Sequence, residues 1–198
     1  MLVTDDALIA GRDLIALARA AERGGVTAVQ LRLKHATPRR QVELARGLVA
    51  ALGIPVLVND RPDIAIAAGA AGVHLGPGDL PPRFARRVLR ERMLIGASVG
   101  SHDEMLTAGD ADYWGIGPWR ATSTKGDAGP ALGAKGFAAI ARAADLRPCI
   151  AIGGVKPEDA AAVLEAGGSG IAVASGILRA ADAEAAARAY ADALGIRV

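Results

Sequence analysis

Short runs of β-branched and aliphatic residues alternate along this chain with longer stretches whose apolar positions recur at three- and four-residue spacing. The runs fall at 28–31, 56–58, 72–75, 94–98, 113–117, 149–152 and 170–173, and Leu2 with Val3 begins an eighth. They are nearly continuous in apolar residues, as expected of parallel strands covered on both faces. The intervening stretches carry helix punctuation. Thr37 and Pro38 read as an N-cap and first helical residue, followed by an apolar stripe of Leu44, Ala45, Leu48, Val49 and Leu52 that stops at Gly53. Ser101 and Glu104 have capping-box spacing before a short helix ending near Gly109, and Pro157 opens another that runs to Gly167. Further helices are predicted over 13–23, 61–68, 81–90, 135–143 and 183–194.

About eight strands and eight helices in strict alternation predict an α/β fold, a compact (β/α)8 TIM barrel, over an open doubly wound sheet. The 198 residues fit a single domain, 1–198, although such barrels typically need ~250 residues. Helices and bottom loops must therefore be short, which abundant Ala and Gly permit. Apolar residues make up 52 % and aromatic residues 3 % of the chain, enough for a large aliphatic core and too much for disorder. The formal net charge of +2 announces no nucleic-acid-coating surface. Arg83, Arg86, Arg87, Arg90 and Arg92 have helical spacing but no aromatic residues suited to base stacking, so they read as a solvated helix face, and no nucleic acid is expected. No stretch approaches the ~18 apolar residues of a membrane span. Asp5 and Asp6 stand where a secretory signal would carry Lys or Arg. A cytoplasmic domain is expected, and a homodimer is compatible with it.

In a barrel of this kind the chemistry belongs at the C-terminal ends of the strands. The residues following each run meet that test: Gln30, Arg32 and Lys34; Asn59 and Asp60; Asp79; Ser98; Thr122, Thr124 and Lys125; Gly153 and Gly154; Ser175 and Gly176. The two glycine-containing turns after the last strands suit a phosphate held by backbone N–H groups. Asp60 and Asp79, on adjacent loops, suit a hard cation that keeps several waters, for which magnesium is the natural choice. Arg32, Lys34 and Lys125 would neutralise a second, more highly charged group. Two anionic small-molecule substrates are expected. Plainer readings exist for each piece: Asn59 and Asp60 as a turn opener, the glycine pair as a turn, residues 122–129 as a solvated loop. The single Cys149 reads as a small buried hydrophobe and His74 as a hydrogen-bonded wall residue, while His35 and His102 fall in loops.

Several segments together resemble one family, the thiamine phosphate synthases. They are Gln30-Leu-Arg-Leu-Lys34, Val58-Asn-Asp60, Gly72-Val-His-Leu-Gly-Pro-Gly-Asp79, Ile95-Gly-Ala-Ser98, Asp112-Tyr-Trp-Gly-Ile-Gly-Pro118, Thr122-Ser-Thr-Lys125, Ile152-Gly-Gly154 and Val173-Ala-Ser-Gly-Ile177. The resemblance implies a TIM barrel, a magnesium ion, and a transferase that joins a hydroxymethylpyrimidine diphosphate to a hydroxyethylthiazole phosphate with release of pyrophosphate. It further implies that Asp60 and Asp79 hold the magnesium, and that Gln30, Arg32, Lys34, Asn59 and Lys125 hold the diphosphate. Ser98 would lie near the pyrimidine, and Thr122, Thr124, Gly154, Ser175 and Ile177 would receive the thiazole phosphate. Arg32, Lys34, Ser98 and Lys125 are the implied catalytic set.

The chain departs from the family pattern at Leu33, where a Glu is usual, and at Trp119 and Arg120, where smaller or apolar residues are usual. The final segment, Ser175-Gly-Ile177 with Ala185-Ala-Ala-Arg-Ala-Tyr190, also resembles the thiazole tautomerases. Those enzymes carry a His where this chain has Pro118. A non-catalytic thiazole-phosphate-binding relative is the remaining alternative.

Overall fold

The computed structural model of the chain describes residues 1–121 and 129–197. Its eight strands are β1 (Leu2–Val3), β2 (Val29–Leu31), β3 (Val56–Asn59), β4 (Gly72–Leu75), β5 (Leu94–Val99), β6 (Tyr113–Ile116), β7 (Cys149–Ile152) and β8 (Gly170–Ala172). All pair in parallel and in sequence order. The barrel closes where Leu2 bridges to Val173: the Val3 N–H donates to the Val173 carbonyl at 2.8 Å and the Val173 N–H to that of Met1 at 3.0 Å. The two-residue run near the N-terminus thus closes the sheet, and each described strand has a neighbour on both sides. Strand residues are buried on both faces, which is why they read as continuous apolar runs.

Outside the strands lie α1 (Leu14–Arg23), α2 (Pro38–Ala51), α3 (Pro62–Ala68), α4 (Pro82–Val88), α5 (His102–Thr107), α6 (Gly133–Ala143), α7 (Ala160–Glu165), α8 (Ser175–Leu178) and α9 (Ala183–Ala193). The stripe predicted on α2 faces inward, with Ala45 and Leu48 fully buried and Leu44, Val49 and Leu52 packed against the core. Two predicted elements are refined. The helix expected from Pro157 begins as a 3-10 turn, Pro157–Asp159, before α7. The Ser101 hydroxyl caps the Glu104 N–H at 3.3 Å as predicted, but the Glu104 carboxylate accepts from Gly100 rather than from Ser101, so the box is not reciprocal. Contrary to the sequence expectation, an exposed aromatic residue does accompany these arginines: Arg83 and Arg87 lie over the ring of Phe84, and Arg86 pairs with Asp112.

At the start of α1, the Asp13 carboxylate accepts from the Ile15 and Ala16 N–H groups at 2.9 and 3.1 Å. Asp13→Ala leaves those donors uncapped and is expected to cost ~1 kcal/mol, lowering the melting temperature by about 2–4 °C without loss of activity. Thermal unfolding followed by circular dichroism checks this.

Candidate active site

Most of the described candidate residues lie at the C-terminal ends of the strands, and a cavity of about 330 Å³ opens there. Its wall includes Arg32, Ser98, Gly153, Gly154, Ser175 and Gly176, contributed by β2, β5 and the turns after β7 and β8. Beside it a charged cluster forms. The Lys34 ammonium stands 3.6 Å from the Asp60 carboxylate, and Asp60 is within hydrogen-bonding reach of Asp79. Burial first, and then the neighbouring Asp60 carboxyl, push Asp79 up to about 6. Two carboxylates held together in a partly desolvated place repel each other unless a cation or proton joins them.

Local structure explains this approach. Asp60 occupies the left-handed region at φ 64, a conformation that Asp tolerates better than most residues and that turns the chain sharply off β3. Its N–H still reaches the His74 carbonyl on β4 at 2.8 Å. Asp79 closes a tight turn, accepting from the Gly76 N–H at 2.6 Å while its own N–H returns to the Gly76 carbonyl at 3.1 Å. Pro77 of this turn lines the cavity, so the carboxylate pair and the cavity adjoin.

The basic residues after β2 are held by acidic residues after β1. Arg32 Nη1 pairs with Asp5 at 3.4 Å, its N–H donates to the buried Thr4 hydroxyl at 2.8 Å, and the Lys34 N–H donates to Asp6 at 2.8 Å. Asp5 and Asp6 therefore act as braces, a role beyond the one their sequence position suggests. The signal for that role is two acids directly after a strand, facing two bases directly after the next. Leu33 between the two bases is buried in the core, so the departure at that position leaves the cationic pair intact.

Inside the barrel a polar chain runs toward the mouth. Tyr113 interacts with the buried Gln30 amide, its hydroxyl meets His74 Nδ1 at 2.9 Å, and His74 Nε2 meets the Ser98 hydroxyl at 3.0 Å. His74 is thus a hydrogen-bonded wall residue, and Gln30 lies below the cavity wall. Burial raises the Tyr113 phenol far above its ordinary range, so it remains neutral. Asn59 ends β3, half-buried. Ile177 stands apart: its side chain is buried in the core, and its N–H is engaged by the Ala174 carbonyl at 3.2 Å. Cys149 is buried and its thiol is pushed up by desolvation, as befits a packing residue. Thr122, Thr124 and Lys125 lie outside the described residues.

Among the described residues no group of three or more His, Cys, Asp or Glu could enclose a metal ion. The Asp60 and Asp79 pair nevertheless has the hard-oxygen chemistry of a site completed by water and by ligand oxygens.

Comparison with known proteins adds a family to this geometry. Residues 1–177 match the family model described as thiamine monophosphate synthase. The thiamine-phosphate synthase of Azorhizobium caulinodans is 50 % identical over 192 residues, 94 % of this chain and 90 % of that protein. That of Xanthobacter autotrophicus is 48 % identical over 193 residues, 95 % and 91 % of the two chains. Among solved structures, thiamine phosphate pyrophosphorylase from Pyrococcus furiosus superposes with a TM-score of 0.87 at 33 % identity, covering 98 % of this chain and 94 % of its own.

Proposed function

Because the chain belongs to the thiamine monophosphate synthase family, we propose how its mouth makes thiamine phosphate: by joining a hydroxymethylpyrimidine diphosphate to a hydroxyethylthiazole phosphate with release of pyrophosphate. The chain is an enzyme of the transferase class. The observation that carries the proposal is the Lys34, Asp60 and Asp79 cluster adjoining a cavity walled by Arg32.

Asp60 and Asp79 would hold the magnesium ion. When bound, it supplies charge neutralisation to the leaving diphosphate. Lys34 and Arg32 add positive charge at the same place, Arg32 as a planar fork held by Asp5 and Lys34 as a point charge. These groups favour breakage of the bond between the benzylic-type carbon and the diphosphate oxygen, the electron pair leaving with pyrophosphate. The amino-pyrimidine stabilises the resulting cation, and the thiazole nitrogen closes the new carbon–nitrogen bond. No protein nucleophile is needed, and the protein's contribution is charge stabilisation and positioning.

Ser98, oriented by His74, supports the pyrimidine end. The backbone donors of Gly153, Gly154 and Ser175 support the phosphate of the thiazole, with two glycines allowing close approach. No helix among the described residues is long and apolar enough to cross a membrane.

The test supplies both substrates with magnesium and measures products. Thiamine phosphate and pyrophosphate formed in equal amounts are expected. Isomerisation of a thiazole carboxylate without coupling would overturn the proposal and select the tautomerase chemistry.

A further inference from the structure

Trp119 and Arg120, which follow Pro118 just past the end of β6, converge on one buried carboxylate. Arg120 Nε donates to Asp159 at 3.0 Å and its Nη2 donates to the second oxygen, a bidentate fork. The Trp119 indole also bonds this carboxylate, and its ring, buried edge-on against Phe137, fixes where the indole points. Asp159 further accepts from the Lys156 N–H at 2.9 Å. One carboxylate therefore fastens the segment leaving β6 to the turn that follows β7.

That turn contains Gly153 and Gly154. Trp119 and Arg120 continue the pairing of β6 with β7 past the strand ends, donating to the Ile152 and Gly153 carbonyls, each at 2.8 Å. The contact is close. A Cβ on Gly153 would come within 2.7 Å of Pro118 Cβ, and one on Gly154 within 3.0 Å of Arg120 Cβ. Both glycines have positive φ, 91 and 67, so their amide directions depend on the tether that sets the turn. Gly153, Gly154 and Pro118 line the cavity, whereas Arg120 and Asp159 do not.

The pair is open to solvent on one side only, the Arg120 side chain being 49 % exposed and that of Asp159 8 % exposed. It is well placed to fix geometry.

We propose that Arg120, Trp119 and Asp159 form a positioning clasp that sets the Gly153 and Gly154 backbone for the phosphate of the thiazole substrate. This inference rests on the function proposed above and adds to it residues that do not touch substrate. Arg120→Ala should raise the KM for thiazole phosphate by roughly tenfold, within the ~10²-fold that a 1 Å misplacement can cost, and leave the KM for the pyrimidine diphosphate unchanged. Asp159→Asn should shift the same constant, and Arg120→Lys should restore part of the loss, since a lysine offers one contact in place of a fork.

Steady-state kinetics with each substrate varied in turn, alongside melting temperatures, reads these effects. An unchanged thiazole KM in an active Arg120→Ala variant would overturn the clasp and leave the reaction standing. So would KM values for both substrates rising together in step with lost thermal stability. A wild-type chain forming no thiamine phosphate would overturn the underlying reading instead.

Discussion

Replacing Asp79 with alanine is expected to lower turnover by roughly 10³-fold or more, the loss that follows when several kcal/mol of charge stabilisation leaves a transition state. The carboxylate lies within hydrogen-bonding reach of Asp60, which itself stands 3.6 Å from Lys34. Removing it takes away one of the two carboxylates proposed for the metal ion. It also leaves the Gly76 N–H without its partner at 2.6 Å. Asp79→Asn separates these effects, because the amide oxygen can still close the Gly76 turn while the charge is gone. Both variants should be inactive, and both should keep the native circular dichroism spectrum, since the residue lies at the barrel mouth and outside the core. Turnover within a fewfold of wild type in either variant would remove Asp79 from the machinery.

Gly96→Ala is expected to be strongly damaging, because the added methyl group has no room in the barrel interior. Gly96 sits on β5 between His74 on β4 and Tyr113 on β6, in register with both. A Cβ there would lie 2.1 Å from Tyr113 Cζ and 2.3 Å from its hydroxyl, so the ring must move. Moving it breaks the 2.9 Å contact to His74 Nδ1 and loosens the ring that orients Ser98. Overpacking of this kind costs ~1–3 kcal/mol or more, which for a chain of this size lowers the melting temperature by roughly 2–10 °C. The KM for the pyrimidine diphosphate should rise as well. Ser98→Ala, which deletes only the end of the chain of contacts, should raise that KM while leaving the melting temperature unchanged. Kinetics and melting curves on the two variants distinguish packing from positioning.

The barrel is legible in the sequence because its strands are buried on both faces, which leaves eight short apolar runs with polar residues collected after them. Cap chemistry likewise places α2 closely, through Thr37 and Pro38. Helix α8 is absent from that reading because four residues opened by Ser175 and Gly176 show no periodicity and resemble a turn. Asp60 and Asp79 can be paired from their positions on adjacent loops, yet the left-handed turn that aims Asp60 is not visible in its neighbours. Contacts that depend on register stay hidden. Nothing local in Gly96 announces that Tyr113 fills the space of its missing side chain. Arg120 and Asp159 are 39 residues apart, and only the pairing of β6 with β7 brings them together.

In the proposed reaction Asp60, Asp79, Lys34 and Arg32 act together on a diphosphate through a divalent cation. Titration calorimetry of pyrophosphate against the full chain, with and without magnesium, tests it directly. Binding is expected to require magnesium and to weaken by roughly 10²-fold, about 2.7 kcal/mol, in the Asp60→Asn/Asp79→Asn double variant. Pyrophosphate binding of equal strength without magnesium, or in that double variant, would contradict it.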